Sequence, residues 1–579
     1  MATLPSQVSD TQAQPVATRS GGPGGFGHTV ALLELLLTVG YVDGVFHQRE
    51  HAFIERYLDS LLIVIEASGA GGADERARLR AAWQSHLTEQ YARLQGGVAQ
   101  LADETTLPSD PAHIPARLKS RAVALFRGLP AAEQTTALEL VRALMHADGL
   151  VSPPEQALYE ELLGYFAAAV RDPTAQTLTA RAPSLTAAER PIALGAMQRL
   201  PLLAAAHPLL DPLEQTFSPH PVELQAQVAL DYQLAVSAMG VWQRLRAVGD
   251  GLLDGVTDIA RVPTGAQFLD RHVHVIRPTE PVEVIVVGDL HGCYGCLKAV
   301  LLQTNFVNRV WARQWDPTRH GDVKLVFLGD YIDRGRFSFD GVLRAVLQLL
   351  VAMPDNVFVL RGNHEYFHSS GGRVWSGVHP AEALASLSPH VPREMLEAYR
   401  VLFEHMPTAV LLDRTLLVHG GVPRDDTLAE HWRDLASLNH PELRFQMMWS
   451  DPEQVDHVPL ELQRASARFG FGRAQFQAFM EKAGLRTMIR GHEKIDRGFD
   501  VVFDLGDRLL LNLFTAGGYD NRDLPVDSSY RGVRPMALTI FHDANGQRAV
   551  PWPVEYQAFN SEVHNGLHRR GPLLPYRYG

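Results

Sequence analysis

Residues 282–292 read VEVIVVGDLHG, residues 324–335 read KLVFLGDYIDRG and residues 356–365 read NVFVLRGNHE. In each stretch a short run of Val, Ile, Leu or Phe stops at a glycine next to a side chain that can bind a metal ion. Two later stretches, TLLVHGG (415–421) and TMIRGH (487–492), end in the same way. Strands that end like this place their polar side chains in one crevice beyond the carboxyl edge of a sheet. The repeated pattern predicts an α/β fold with one functional site at the strand ends.

The five strand ends supply a mixed set of metal-capable side chains: Asp289, His291, Asp330, Asn363, His419 and His492. One Gly-Asp or His-Gly pair alone is more often an ordinary turn. Carboxylate, amide and imidazole donors together suit manganese, iron or zinc better than calcium. With one carboxylate shared, two cations about 3.5–4 Å apart polarise a bound phosphate ester and lower the pKa of a bridging water. The resulting hydroxide would attack phosphorus directly.

The motifs GDxHG, GDxxDRG, GNHE, HGG and RGH occur in this order along the chain. In this respect the chain resembles the phosphoprotein phosphatase family of metallophosphoesterases, in its bacterial serine/threonine type. The resemblance implies a calcineurin-like β-sandwich flanked by helices, with two divalent ions. Manganese is the first choice, and iron or zinc are alternatives. One ion would be bound by Asp289, His291 and Asp330, and the other by Asp330, Asn363, His419 and His492.

The same resemblance assigns roles in the reaction. His364 would protonate the leaving alkoxide, and Asp333 would orient it and favour its charged form. Arg334 would hold phosphate oxygens with its planar guanidinium. Trp449 in the WSDP motif and Tyr519 in FTAGGYDN resemble later loops of the family, which places Tyr519 near the metals. Core packing is the alternative for both aromatic residues.

A second phosphate-binding arginine is expected before a Phe-Gly pair, but the sequence departs from the family spacing there. The stretch RASARFGFG (464–472) offers two candidates. Arg464 fits if one residue is inserted before Phe471. Arg468 directly precedes Phe469 and could equally make a surface contact. The spacing favours Arg464, and Arg468 stays open.

The first half of the chain is rich in Ala, Leu, Glu and Arg at helical spacing, which predicts helices. It contains an internal repeat, YVDGVFHQREHAFIERYL from Tyr41 and HADGLVSPPEQALYEELL from His146. An EF-hand is excluded because the first two ligand positions of the loop lack oxygen ligands. The preferred interpretation is a helix, a turn and a second helix with Glu in its first turn. The repeat resembles TerB-like helical domains, which implies a sensor or interaction module with metal binding by Asp43, Glu50, Asp148 and Glu155.

These patterns predict five segments. Residues 1–27 form a disordered tail, 28–250 the helical TerB-like region, 251–279 a junction, 280–545 the metallophosphoesterase domain and 546–579 a C-terminal extension.

Composition restricts the partners and the compartment. The chain has 579 residues and a formal net charge of −12, the wrong sign for a protein that tracks nucleic-acid phosphates. A secretory signal and a long apolar run are not found, so no membrane span is expected. The two cysteines, Cys293 and Cys296, exclude a disulfide framework and favour the cytoplasm. They form a CxxC pair, for which two buried structural thiols are preferred over a redox switch.

The sequence therefore predicts a metal-dependent phosphoesterase that acts on phosphoserine and phosphothreonine in proteins. A phosphoprotein is the expected substrate, and the helical region is expected to bind a protein partner. One alternative is hydrolysis of dinucleoside polyphosphates or other small phosphoesters. Another is a non-catalytic regulator with a vestigial site. Asp333 favours a protein phosphatase, and the intact ligand set argues against a vestigial site.

Overall fold

The computed structural model describes residues 25–42, 46–68, 131–147, 151–171 and 190–569, together with short groups of residues between 84 and 129. The chain divides into two compact units. The helical unit comprises Met1–Arg181 and Glu453–Ala465. The sheet unit comprises Ala182–Pro452 and Ser466–Gly579. Within the described ranges, none of the helices combines the length and apolar character needed to cross a membrane.

The helical unit is built around a core of buried leucines and other apolar residues, among them Leu36, Ile54, Val141 and Leu158. Its described helices are Gly25–Gly40, Gln48–Ser68, Ala131–Met145, Pro153–Arg171 and the short helix Leu460–Arg464. Apolar residues recur at helical spacing along these helices, as the sequence predicts.

The internal repeat is visible as the same local contact in both copies. The backbone N–H of His47 donates to Glu50 Oε2 at 2.8 Å, and that of Ser152 donates to Glu155 Oε2 at 2.7 Å. Each Glu therefore satisfies an N–H at the start of its own helix, as in a capping box. This supports a structural role for Glu50 and Glu155. Asp43 and Asp148 lie outside the described residues, so the TerB-like assignment stays a prediction.

The sheet unit contains two large mixed sheets. In chain order the strands are β1 (Ala193–Leu194), β2 (Gln267–Asp270), β3 (Val273–Ile276), β4 (Val282–Val287), β5 (Asp322–Phe327), β6 (Val357–Val359), β7 (Phe367–Ser370), β8 (Arg373–Ser376), β9 (Ala409–Leu412), β10 (Thr415–Val418), β11 (Asp451–Pro452), β12 (Gly470–Phe471), β13 (Thr487–Arg490), β14 (Phe499–Asp504), β15 (Leu509–Leu513), β16 (Met536–Asp543) and β17 (Gly546–Pro553). One sheet has the order β1-β17-β16-β4-β5-β6, and the other has the order β14-β15-β13-β10-β9-β3-β2. The pairs β7-β8 and β11-β12 form two small ribbons.

Helices flank these sheets. The described α-helices of the sheet unit are Pro221–Gly249, Tyr294–Gln303, Phe306–Trp315, Arg344–Ala352, Glu382–Leu387, Arg393–His405, Asp425–His431, Pro441–Met447 and Arg473–Lys482. Shorter helical turns lie at Asp211–Leu213, Ile259–Arg261, Ser338–Leu343, Leu435–Asn439, Ser529–Gly532, Tyr556–Asn560 and Gly566–Arg569.

The two large sheets pack face to face. Val284 and Val286 of β4 lie in one core with Leu417 of β10 and Ile489 of β13. Their neighbours in sequence point to the opposite face of the sheet, where Ile285 joins a core formed with helices. A strand that is buried on both faces reads as a continuous apolar run. The structure is thus a β-sandwich with helices outside each sheet, in agreement with the predicted α/β fold.

The topology brings the motif residues to one edge. Strands β4, β5 and β6 are mutually parallel neighbours, and β10 is parallel to β13. Asp289, Asp330 and Asn363 follow the first three strands, while His419 and His492 follow the other two. The predicted crevice at the carboxyl ends of the strands is therefore present.

The sheet unit differs from the predicted segments. Helix Pro221–Gly249 was assigned to the helical region, but its Trp242 is fully buried in the core of the sheet unit. The predicted junction contains β2 and β3, and the predicted C-terminal extension contains β17, which pairs with β16. Helical composition alone does not reveal which core a helix joins, and a short strand needs its partner strand to be recognised.

A buried ion pair fixes helix Pro221–Gly249 to the sheet unit. Arg344 donates from Nε and Nη2 to the two carboxylate oxygens of Asp231, both at 2.8 Å. Both residues are buried. Removing one partner of such a pair leaves a charge buried without compensation, which is strongly destabilising.

We expect Asp231→Ala to lower the free energy of unfolding of the sheet unit by about 3–5 kcal/mol, because Arg344 is left unpaired. The measurement is urea unfolding followed by tryptophan fluorescence. Asp500→Ala is a matched control, since Asp500 pairs with the exposed Arg497 and should cost at most about 1 kcal/mol. Equal losses in the two variants would contradict the assignment.

Candidate active site

The loops after the strands hold several polar residues in a left-handed backbone conformation. His291, Asp330, Asp333, Arg334 and His492 have φ between 44° and 69°. Residues other than glycine rarely adopt positive φ, and such positions concentrate at functional sites. The backbone at these strand ends is thus bent to aim particular side chains.

Two glycines allow the loops to approach each other. A Cβ on Gly362 would overlap the Asp330 carboxylate, and a Cβ on Gly491 would overlap the Asp289 carboxylate. No other residue fits either position without displacing a carboxylate. This explains why a glycine precedes both Asn363 and His492 in their motifs.

Asp330 lies at the centre of the site. Its Oδ1 is 3.3 Å from His419 Nε2, and its Oδ2 is 3.5 Å from His291 Nε2. Among the described residues, the groups whose ligand atoms lie within 4.8 Å of one another are His291-Asp330-His364 and Asp330-His419-His492. Asp330 belongs to both, which is the geometry expected of a bridging carboxylate.

Backbone carbonyls fix the orientation of two histidines. His291 Nδ1 donates to Ile332 O at 3.0 Å, and His419 Nδ1 donates to Leu328 O at 3.1 Å. Since a carbonyl only accepts, each Nδ1 carries the proton and each Nε2 presents a lone pair towards Asp330. This is the usual arrangement of metal-binding histidines.

The Asn363 side-chain oxygen points into the same space. It is 3.0 Å from His419 Nε2 and from His492 Nδ1, and its position is 3.2 Å from both carboxylate oxygens of Asp330. Turning the amide would let its NH2 group satisfy these acceptors without a cation. A cation satisfies them with the oxygen facing inward and also neutralises the carboxylates, so the donor set fits a metal ion.

The buried negative charge of the site also favours the binding of cations. Asp289, Asp330 and Glu365 are fully buried, and the charge of Asp330 acts on the other two carboxylates. Burial, followed by the charge of Asp330, raises the pKa of Asp289 to about 7 and that of Glu365 to about 7. Asp289 accepts hydrogen bonds from the His492 backbone N–H at 3.0 and 3.1 Å, which alone do not balance its charge. Two divalent ions would neutralise the cluster.

His364 is held for proton transfer. Its Nδ1 donates to Asp333 Oδ2 at 2.7 Å, and Asp333 Oδ1 accepts from the Ala383 N–H at 2.8 Å. Burial lowers the pKa of His364, but the charge of Asp330 and the hydrogen bond to Asp333 outweigh it and raise the pKa above its usual value. The structure therefore brings the predicted pair together beside Asp330.

Arg334 lies on the loop that carries Asp333. Its Nη1 donates to Glu382 Oε1 at 2.7 Å and to Pro380 O at 3.0 Å. These contacts hold the guanidinium near the rim, with its remaining N–H groups available to an anion.

Glu365 is a positioning residue that the sequence reasoning missed. Its Oε2 accepts from the N–H groups of Asp330 at 2.9 Å and Gly362 at 3.0 Å. Its Oε1 accepts from the Tyr331 N–H at 2.9 Å. Glu365 thus ties the GDYIDRG loop to the GNHE loop. Its place in the GNHE motif could have indicated that Glu365 has a role at the site. The sequence did not show that the hydrogen-bond partners of its carboxylate are backbone amides of another loop.

The structure places a second tyrosine beside one of the predicted ligands. The Tyr519 side chain is 86% exposed. The half-buried Tyr530 places its hydroxyl 3.5 Å from His291 Nε2, and desolvation raises the pKa of this hydroxyl. Tyr519 lies within FTAGGYDN and Tyr530 follows it in the chain, and only the path of the loop shows which side chain approaches His291. Trp449 is buried with Val378 and Met448 and packs near Phe445, which supports the core-packing alternative.

The structure also favours the other arginine. Arg468 Nε donates to Asp451 Oδ2 at 2.6 Å, and Asp451 Oδ1 lies 3.8 Å from His492 Nε2. Arg464 ends helix Leu460–Arg464 in the helical unit. The family spacing pointed to Arg464, whereas the ion pair with Asp451 brings Arg468 into the network around the predicted ligands.

The two cysteines lie at the start of helix Tyr294–Gln303. Both are free and fully buried, and the Asn521 side-chain amide donates to Cys296 Sγ at 3.5 Å. Burial, together with the neighbouring Cys296, raises the pKa of Cys293 well above its usual range. A raised pKa disfavours the reactive thiolate. This supports the structural interpretation of the pair.

Comparison with known proteins agrees with this geometry. Residues 282–496 match the family model described as calcineurin-like phosphoesterase. A probable serine/threonine-protein phosphatase of Encephalitozoon cuniculi is 29% identical over 271 residues, which cover 46% of this chain and 53% of that protein. The serine/threonine-protein phosphatase 4 catalytic subunit of Saccharomyces cerevisiae is 27% identical over 289 residues, which cover 49% of this chain and 82% of that protein.

A solved structure, a protein serine/threonine phosphatase from Saccharomyces cerevisiae with similarity to human phosphatase PP5, gives a TM-score of 0.36 at 18% identity. The match covers 56% of this chain and 89% of that one. The chain spans about half the length of the Encephalitozoon relative, 53%. The predicted metallophosphoesterase domain is confirmed by the family match.

We expect Asp330→Asn to lose both metal ions, because one carboxylate serves both groups of ligands. Metal content after loading with Mn²⁺ and dialysis is the measurement. Asp333→Asn is the matched control: it lies three residues further along the same loop, contacts His364 rather than the shared space, and should keep its metal. Two retained ions in Asp330→Asn would show that this carboxylate is not the bridge.

Proposed function

We propose that this chain is a metal-dependent phosphatase that hydrolyses phosphoserine and phosphothreonine esters in proteins. The observation that carries the proposal is the His364–Asp333 pair beside Asp330, which belongs to two groups of metal-capable residues. A general acid next to such a centre suits esters with poor leaving groups, as serine and threonine alkoxides are. The names of the relatives support the same substrate class.

The residues divide into two proposed ligand sets. One comprises Asp289, His291 and Asp330, and the other comprises Asp330, Asn363, His419 and His492. Manganese is the proposed metal, with iron or zinc as alternatives, since the donors are mixed oxygen and nitrogen. When bound, two divalent ions supply positive charge to the phosphate oxygens and lower the pKa of water.

His364 is placed to deliver a proton. Its Nδ1–H is held by Asp333, so Nε2 is the atom that would donate to the leaving oxygen. The charge of Asp330 and the hydrogen bond to Asp333 raise the pKa of His364, which favours the protonated imidazole. As the alkoxide leaves, the proton passes from His364 Nε2 to the ester oxygen. The hydrogen bond from Nδ1 to Asp333 keeps the imidazole ring in its orientation.

Arg334 and Arg468 would hold the phosphate from the side away from the metals. Arg334 donates from Nη1 to Glu382, and Arg468 donates from Nε to Asp451, so a carboxylate orients each guanidinium. Two parallel hydrogen bonds from a planar guanidinium match two phosphate oxygens. Tyr530 lies on the same side, against His291.

Two wider proposals follow from the sequence. The helical unit is the module that would bind a protein partner, as its TerB-like pattern implies. The two free thiols suit a reducing compartment such as the cytoplasm.

The test of the substrate class is a direct comparison. Metal-free protein is reloaded with Mn²⁺, Fe²⁺ or Zn²⁺ and assayed on phosphoserine and phosphothreonine peptides and on diadenosine polyphosphates. We expect faster turnover of the peptides. Preferential cleavage of diadenosine polyphosphates would replace the proposal with the small-phosphoester alternative.

We expect His364→Asn to keep its metals and to slow hydrolysis of phosphoserine peptides by about a hundredfold or more. Aryl phosphates leave without much protonation and should lose much less rate. Turnover of both substrates with metal content gives the result. A similar loss on the two substrates would exclude the general-acid role.

We expect Arg468→Ala to reduce kcat/KM by about 10- to 100-fold, the effect of losing hydrogen bonds to a charged group. Metal content should not change. Arg464→Ala is the comparison variant and should behave like the unmodified protein. If only Arg464→Ala shows the loss, the spacing in the sequence was the better guide.

A further inference from the structure

Three arginines from separate elements lie together, away from the proposed ligands' shared space. They are Arg246 in the last turn of helix Pro221–Gly249, Arg361 after β6, and Arg444 in helix Pro441–Met447. We call them the arginine cluster. Their positions are linked through the segment 405–407 and through Asn439.

Hydrogen bonds define this link. Arg246 donates from Nη2 to His405 O, and the Arg361 backbone N–H donates to Pro407 O at 2.8 Å. Arg444 Nε donates to Asn439 O at 3.0 Å. The segment 405–407 and Asn439 therefore connect the three elements that carry the arginine cluster, and all three arginine charges act on the nearby His272.

His272 connects the segment 405–407 with Asn439. Its Nδ1 donates to Met406 O at 3.0 Å, and its backbone N–H donates to Asn439 Oδ1 at 2.8 Å. Burial, followed by the charge of Arg444, lowers the pKa of His272 to about 3 and so favours the neutral imidazole, with its proton on Nδ1. His272 thus adds no positive charge to the arginine cluster.

None of the three guanidinium groups forms an ion pair with a carboxylate of residues 190–569, although the charge of Asp250 acts on Arg246 and that of Glu404 acts on Arg361. Within residues 190–569, the side-chain hydrogen bonds of the three guanidinium groups go to backbone carbonyls: those of Arg271, His405, Glu365 and Asn439. The nearby carboxylate of Glu404 is engaged by Arg400 at 2.6 Å. Burial, and then the charges of Arg361 and Arg246, lower the pKa of Arg444 to about 10. Three partly buried like charges repel one another, and an anion would relieve the repulsion.

An unused donor supplies a second, independent sign of a ligand. The Asn439 side-chain nitrogen is buried and has no hydrogen-bond acceptor, and the residue is only 8% exposed. Its Oδ1 accepts from His272 N–H, which fixes the orientation of the amide. Buried donors are rarely left without an acceptor, because the lost hydration is costly. The missing partner is an acceptor, as an anion is.

We propose that the arginine cluster, with Asn439, is a binding site for a phosphate-class oxyanion, separate from the catalytic centre. Guanidinium groups bind phosphate through paired N–H donors, and an amide N–H is a further donor to a phosphate oxygen. The oxyanion is either free orthophosphate or a phosphoryl group on a protein.

The site is linked to the proposed catalytic loop. Arg361 is the first residue of the stretch RGNHE (361–365), and its Nε donates to Glu365 O at 3.1 Å. The Glu365 carboxylate in turn accepts from the backbone of Asp330. A bound oxyanion would hold Arg361 and, through it, the loop that carries Asn363 and His364.

The test is equilibrium dialysis of full-length, metal-free protein against labelled orthophosphate at physiological ionic strength. We expect one site per chain. Arg246→Gln/Arg444→Gln should weaken binding at least about tenfold, because charged hydrogen bonds are lost. Arg309→Gln, which removes a surface arginine paired with Glu283 at 2.9 Å, is the control and should bind normally. Without metals or turnover, the result does not depend on the proposed function.

Two outcomes would overturn the proposal: no binding by the unmodified protein, or unchanged binding by the double variant. If the double variant does not fold, as judged by circular dichroism, Arg444→Lys replaces it. This variant keeps the charge but loses the paired donors, so unchanged affinity would again overturn the proposal. A phosphoserine peptide that competes with orthophosphate would identify a protein phosphoryl group as the source, and failure to compete would identify the free anion.

Discussion

Three buried carboxylates, Asp289, Asp330 and Glu365, lie at the end of the sandwich, where the charge of Asp330 acts on the other two, and the rest of the site compensates their charge. Backbone N–H groups of Asp330, Tyr331 and Gly362 neutralise part of the charge of Glu365. Imidazoles with fixed tautomers surround Asp330. What remains is a set of inward-facing lone pairs that divalent cations would satisfy.

This constraint explains features of the fold that would otherwise be costly. Carboxylates can come this close only if the loops carrying them have glycine at Gly362 and Gly491 and accept positive φ at Asp330 and His492. Such strain persists where the surrounding structure is rigid. Here two sheets packed face to face and covered by helices provide the rigidity. The buried pair of Asp231 with Arg344 extends that support to helix Pro221–Gly249.

The sequence was most informative where chemistry and backbone geometry coincide. Each strand end joins an apolar run to a glycine and a metal-capable side chain, so the fold and the set from Asp289 to His492 could be predicted. Contacts between residues that are distant in sequence could not be predicted. Tyr530 and Arg468 reach the site through loop paths that local spacing does not reveal, and Glu365 acts through backbone amides of another loop. Helix Pro221–Gly249 and β17 were misplaced for the same reason, since their partners are distant in sequence.

The account depends on two metal ions sharing one carboxylate. Anomalous diffraction from crystals of the manganese-loaded protein tests this most directly. We expect two peaks about 3.5–4 Å apart, the separation usual for two-metal sites, with the Asp330 carboxylate bound to both. A single peak, or two peaks of which only one is bound by Asp330, would contradict the account.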